Sequence, residues 1–272
     1  WSPDLVHANT VRAALLLLLA ASCSFKNSPL REAQAEARRA EAKEKAARRE
    51  AMEKAEALAE RMDDRLLAAQ VLMTAVDGAR SVSAETAALL SEIPVGALML
   101  FRYNLSGGAE GIRTFIAGCS AAVVAAPAVA AEPAGAAAPA GEEGAADGGG
   151  MRVLPFVALD HEGGAVHRLG SDATRLPSHA AFARAAENRG VEETLRAVEQ
   201  AAELSGKELR SLGFSMNLAP VAEVLDGEND AFLDTRSFGA DADFAGAASA
   251  AFVRGMAAAG VASAVKHFPG NG

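Results

Sequence analysis

The sequence predicts an α/β fold built on a parallel sheet, and two observations carry that prediction. Short, nearly continuous apolar runs alternate with amphipathic stretches that end at glycine. The runs are about four to eight residues long and bounded by turn residues, as buried parallel strands require when helices cover both faces. The candidate strands are QVLMTAVDG, VGALMLF, VLPFVALD, FSMNLAPVAEV and VASAVKHF. Three helices lie between them. SAETAALLSEI opens on Ser83, whose hydroxyl can cap it. VEETLRAVEQAAELSGKELRSLG is amphipathic and stops at Gly213, and DADFAGAASAAFVRGMAAAG stops at Gly260.

This α/β domain spans 63–272. It is broken at about 120–150 by an Ala/Pro/Gly-rich insertion with no strand or core pattern of its own. Two further segments precede it. Residues 1–23 hold Arg12, an apolar run over 13–21, then Ser22-Cys23. The run is too short to span a bilayer as a mature helix. It has the order of an export signal: a basic residue, an apolar centre, then small residues. LAASC is similar to a bacterial lipoprotein box, in which Cys23 carries the lipid and anchors the chain to a membrane; a plain signal peptide is the alternative. The expected location is therefore the cell envelope. Residues 24–62 are rich in Ala, Glu, Lys and Arg, with Ser28-Pro29 placed to start a helix. Few large apolar side chains fall here, so no coiled-coil seam is sustained. A solvated helical spacer is expected.

Composition narrows the function. Net charge is −9 over 272 residues, which argues against a nucleic-acid partner, since phosphate needs a basic face. Two cysteines in unlike contexts make neither a disulfide framework nor a metal cluster. Aromatics are 5% of a chain that is half hydrophobic, so alanine, aliphatics and phenylalanine must fill the core.

Polar residues collect where the apolar runs end. In ALDHEGGAVHRL, Asp160 closes a strand, Gly163-Gly164 turns the backbone, and Arg168 follows. The pair can bind a polar ligand at a strand's C-terminal end, or simply fix the turn. Glu162 is expected to be structural, because the glycines suggest that the strand has ended. His161 and His167 have no third partner at metal-ligand spacing and read as turn or surface histidines. Arg236 sits in the loop DTRSFGAD. Lys266 and His267 end the last strand, where adjacent residues should point to opposite faces.

Taken together, LDHEGGAVHRL, NLAPVAEV, DTRSFG and AAFVRGMAAAGVASAVKHFPGNG, in this order, resemble the N-terminal domain of glycoside hydrolase family 3. The similarity is to its bacterial β-N-acetylhexosaminidase branch. It implies a TIM-type (β/α)8 barrel with the site at the strands' C-terminal ends, and no cofactor or metal. It also implies that Asp160, Arg168, Arg236, Lys266 and His267 hold one N-acetylglucosamine ring. The family commonly has Gln at positions 161 and 167, Arg at 165 and a second His at 271, where this chain has His161, His167, Ala165 and Asn271. Strand counting reaches about five of the barrel's eight. By resemblance, the acid/base His and the nucleophilic Asp of a retaining glycosidase are expected after Gly272, so catalytic residues are expected outside this chain and the chain alone is expected to be inactive. The expected activity of the whole protein is exo-removal of N-acetylglucosamine from peptidoglycan- or chitin-type fragments. A non-catalytic sugar-binding lipoprotein and a family 3 β-glucosidase are the alternatives.

Overall fold

A computed structural model describes residues 29–125 and 153–270. The export segment with Cys23, and most of the Ala/Pro/Gly-rich insertion, lie outside the described residues. The chain divides into two units, residues 1–61 and 62–272.

In the first unit, α1 (Pro29–Ala59) is one continuous helix. It carries ion pairs one turn apart, Arg49 to Glu53 at 3.2 Å and Lys54 to Glu50 at 3.0 Å. These pairs are exposed and each contributes only a few tenths of a kcal/mol, about 0.3–0.5. Propensity and solvation, not burial, account for this helix. Among the described residues, no helix is long and apolar enough to cross a membrane.

The second unit begins with α2 (Asp64–Gln70), capped by the Asp63 carboxylate accepting from Leu66 N. It continues through β1 (Met73–Ala75), α3 (Ala84–Glu92), β2 (Ala97–Met99), α4 (Gly108–Val124) and β3 (Phe156–Leu159). Then come α5 (His179–Arg189), α6 (Val191–Leu212), β4 (Met216–Asn217), the short α7 (Asp230–Leu233), α8 (Ala242–Ala258) and β5 (Ala262–Ser263). Among the described residues, the five strands form one sheet in the order β1-β2-β3-β4-β5, every neighbour parallel. Parallel neighbours in sequential order, joined through helices, are the arrangement of a TIM-type barrel.

The expected strands are all present, though shorter than their apolar runs. In the first run only Met73–Ala75 pair, and Gln70 ends the preceding helix. The helix ends follow the sequence signals. Ser83 caps α3 by accepting from Thr86 N at 3.0 Å, and Gly213 closes α6 in the left-handed region at φ 102°. The helix α5 had no separate sequence expectation. It starts at Ser178, whose hydroxyl accepts from Ala181 N.

The alanine content acquires a use where α6 crosses α8. Ala202, Ala248 and Ala251 are fully buried, and Gly255 brings the two backbones together. A Cβ at Gly255 would lie 2.2 Å from the Glu199 carbonyl and 2.8 Å from the Ala202 Cβ. The helices therefore meet too closely for any side chain there. Around this contact the core is aliphatic and phenylalanine-rich: Leu98, Ile112, Phe115, Leu159, Phe214, Phe238 and Met256 are buried. This packing fixes β3, β4 and β5 side by side, so the residues just past their C-terminal ends share one rim.

Gly255→Ala forces backbone against backbone, which no rotamer change relieves. We expect it to lower stability by about 2 kcal/mol or more, read as a fall in the urea midpoint at unchanged slope. A midpoint equal to wild type would contradict the close α6–α8 approach.

Candidate active site

The rim is organised around a buried carboxylate. Glu162, three residues beyond β3, has a side chain only 2% exposed. Arg236 grips it with both arms: Nε donates to Oε2 at 2.9 Å and Nη2 to Oε1 at 3.0 Å. Lys266 Nζ lies 2.6 Å from the same Oε1 and donates to Asp160 Oδ1 at 2.7 Å. Lys266 thus bridges two carboxylates, and Arg236 closes the far side. Burial pushes the Glu162 carboxyl up, but hydrogen bonds from Arg236 and Lys266 outweigh it and hold the group below its usual value. The Glu162 hydrogen bond raises the Arg236 guanidinium further.

The backbone that delivers these groups is held from below. Asn217, at the end of β4, is fully buried. Its amide accepts from His161 N at 3.0 Å and donates to His161 O at 2.9 Å. That clamp fixes the peptide between Asp160 and Glu162 after strand pairing has ended, so both carboxylates turn to the same cluster. Gly163 and Gly164 then reverse the chain at φ 95° and 53°. Side chains are excluded there, because Cβ atoms would come within 2.8 Å of the Pro177 carbonyl and 2.6 Å of the Ser178 Cβ.

Arg236 arrives on a loop with its own constraints. Asp234, two residues earlier, is the non-glycine residue with positive φ (45°) among the described residues, a conformation that the surroundings must impose. His179, buried at the start of α5, donates from Nδ1 to the Arg236 carbonyl at 2.6 Å and stacks on Phe238 with ring centroids 4.2 Å apart.

His267 forms a second, adjoining pair. Its Nδ1 contacts Glu223 Oε2, and the Glu223 side chain is 9% exposed. The two residues line a cavity of about 460 Å³ together with Lys266, Val224, Asp226 and Asn229. With Nδ1 engaged by the carboxylate, the imidazole's other nitrogen is left to serve a ligand.

The structure therefore brings Asp160, Arg236, Lys266 and His267 to one rim. Arg168 follows the glycine turn, half-buried, and its amide reaches His161 Nδ1 at 3.4 Å. Asp160 takes its ion pair from Lys266, not from Arg168. Glu162 is the buried hub of the charge cluster, paired with Arg236 and Lys266, and the strand has ended before it, as the glycines suggested. Two expectations need revision. His161 is fully buried instead of lying at the surface, with its ring 4.7 Å from that of His167. Lys266 and His267 serve neighbouring parts of one rim, because β5 ends at Ser263 and strict alternation no longer applies. Glu223 was not anticipated; its position in NLAPVAEV, beyond an apolar strand, was the available signal. Cys23 lies outside the described residues.

Comparison with known proteins gives a consistent picture. Residues 144–272 match the glycosyl hydrolase family 3 N terminal domain. A β-hexosaminidase of Methylococcus capsulatus is 40% identical over 122 residues, covering 45% of this chain and 35% of the relative. The chain spans about a third of the length of such curated relatives. Among solved structures, NagZ from Neisseria gonorrhoeae in complex with N-trifluoroacetyl-D-glucosamine superposes with a TM-score of 0.58 at 26% identity, covering 74% of this chain and 50% of that one. A glycoside hydrolase family 3 β-N-acetylglucosaminidase from Paenibacillus gives a TM-score of 0.61 at 26% identity, covering 77% and 34%.

Burial pushes His161 and His179 from 6.5 down to about 4. As pH falls through 6.5 toward 4, the unfolded chain takes up protons that the folded one refuses, so stability must drop across that window. The expected loss between pH 7 and 5 is about 2 kcal/mol per histidine. Chemical denaturation at the two pH values should show it, and His161→Gln or His179→Asn should reduce it. A pH-independent midpoint in the wild type would rule out neutral burial of these rings.

Proposed function

We propose that this chain is a member of glycosyl hydrolase family 3, whose N terminal domain is matched by residues 144–272, and that the rim is the sugar-binding face of a β-N-acetylhexosaminidase. The observation that carries the reading is the bridged cluster itself: Lys266 between Asp160 and Glu162, with Arg236 locked on Glu162. A pyranose offers hydroxyls that both donate and accept. Asp160, 23% exposed, keeps acceptor capacity beyond its bond to Lys266. Arg236, 22% exposed, and Arg168 supply donors. His267, paired with Glu223, lines an adjoining cavity together with Lys266. These groups are held by packing and by one another before a ligand arrives, so little ordering is needed on binding.

The activity proposed for the whole protein is exo-acting, retaining hydrolysis that releases terminal N-acetylglucosamine from peptidoglycan- or chitin-type fragments. Such chemistry needs a nucleophile and an acid/base flanking the glycosidic bond. Asp160, Arg236, Lys266 and His267 fit neither part; they orient the ring, and orientation accelerates reaction where its contacts tighten in the transition state. The relatives' names and the bound amino-sugar analogue of the Neisseria protein support N-acetylglucosamine over glucose.

Titration calorimetry with N-acetylglucosamine tests the site. We expect binding that Asp160→Ala or Arg236→Ala weakens about ten- to a hundredfold, with glucose binding less well than the amino sugar. Equal affinity for glucose would favour the β-glucosidase alternative, and an unchanged affinity in both variants would remove the site altogether. We also propose an envelope location through Cys23. Metabolic labelling with a radioactive fatty acid should mark the protein, and Cys23→Ser should abolish the mark; equal labelling of that variant would refute the anchor.

A further inference from the structure

Two aromatic side chains remain unaccounted for beside the sugar rim. Phe101 and Tyr103 lie just past β2, 41% and 53% exposed. Their rings stack with centroids 5.9 Å apart and planes within 13°. Single exposed aromatics are common and need no account. A stacked pair at a defined place is different, and the register gives the place. Met99 pairs with Ala158, and Leu100 N donates to Ala158 O at 2.8 Å. Phe101 and Asp160 are each two residues beyond this last pairing, so they leave neighbouring strands at the same end of the sheet. The aromatic pair thus follows β2 on the rim where Asp160 follows β3.

The turn that presents the rings is rigid. Asn104 is fully buried and spends its whole side-chain amide on the backbone: it accepts from Phe101 N at 2.8 Å and donates to the carbonyls of Val76 at 2.8 Å and Gly78 at 2.6 Å. Asn104 N donates back to Phe101 O at 2.9 Å. One buried side chain therefore ties the end of β2 to the loop after β1. It holds in place a short turn, Arg102–Asn104, in which Tyr103 is exposed, as is Phe101 just before it.

We propose that Phe101 and Tyr103 form a second subsite, a platform for the pyranose linked to the sugar held at Asp160. A pyranose is amphipathic: its hydroxyls lie around the edge, and one face presents C–H groups. Those C–H groups are weakly positive and sit well on the negative face of an aromatic ring. The rim cluster is all charge and hydrogen bonding, suited to one ring's hydroxyls, whereas the platform supplies the apolar contact that a neighbouring ring needs. The inference rests on the sugar-binding reading of the rim and adds to it the recognition of the leaving sugar.

The sequence contains a single tyrosine, so fluorotyrosine labels one position in the full chain. The probes are N-acetylglucosamine and a thio-linked, non-hydrolysable disaccharide of N-acetylglucosamine. The monosaccharide should shift the His267 ring resonances and leave the Tyr103 fluorine signal in place. The disaccharide should move both. Tyr103→Leu and Phe101→Ala should each weaken the disaccharide about fivefold while leaving monosaccharide affinity unchanged, and Tyr103→Phe should retain wild-type affinity. A disaccharide that shifts His267 without disturbing Tyr103, or that binds Tyr103→Leu as well as wild type, overturns the second subsite and leaves the first standing. Neither sugar shifting His267 overturns the rim reading, and the subsite with it.

Discussion

The Glu162 carboxylate is the constraint on which the rim depends. A charge taken almost wholly out of water is tolerated only if it is paired and hydrogen-bonded, and stripping such a partner away costs about 3–5 kcal/mol. Glu162 meets the condition through two cations from distant parts of the chain, Arg236 and Lys266. Each must arrive at a fixed place for the fold to be stable. Folding the domain therefore assembles the site. The same pairing sets the pose of Lys266, which leaves Asp160 bonded on one oxygen and partly open to a ligand.

That arrangement requires a backbone that does not drift. Strand pairing ends at Leu159 and Asn217, so the register of the sheet alone cannot place residues 160–162. Asn217 extends the order by gripping the His161 peptide on both its polar groups. His179 does the same for the Arg236 loop through one carbonyl. Beneath both lies the α6–α8 contact, where glycine and alanine bring the helices close enough to lock the strands they follow. The alanine-rich composition is thus a packing device, in which small side chains exchange buried area per residue for close approach.

Much of this was legible in the sequence, for reasons that differ by residue. Strand order and helix ends follow from local chemistry: apolar runs, Ser83 as a cap, Gly213 at a left-handed position. Asp160, Arg236, Lys266 and His267 stand out as polar residues where apolar runs end, and the multi-residue blocks made the resemblance specific. The strand does end before Glu162, as the two glycines signal, but no local rule states that Asn217 would hold the next residues in place or that two distant cations would meet this carboxylate. The burial of His161 and His179 was invisible for the same reason, since it depends on neighbours more than fifty positions away. Phe101 closes the apolar run VGALMLF, and only its exposure separates it from the buried residues before it.

The charge balance of the rim bears on what it can hold. Asp160 and Glu162 face Arg236 and Lys266, two carboxylates against two permanent cations, with His267 beside Glu223. A balanced set creates no strong net field, so neither a phosphate nor a cation gains much from it by charge alone. What it offers is a dense array of fixed donors and acceptors of both kinds. A neutral polyhydroxylated ring uses such an array fully, since every hydroxyl can give a proton to a carboxylate and accept one from a cation. Selectivity must then come from where these groups stand, which is why the molecule commits buried amides such as Asn104 and Asn217 to fixing short turns. Rigidity at the rim is the means by which a charge-neutral site distinguishes one sugar from another.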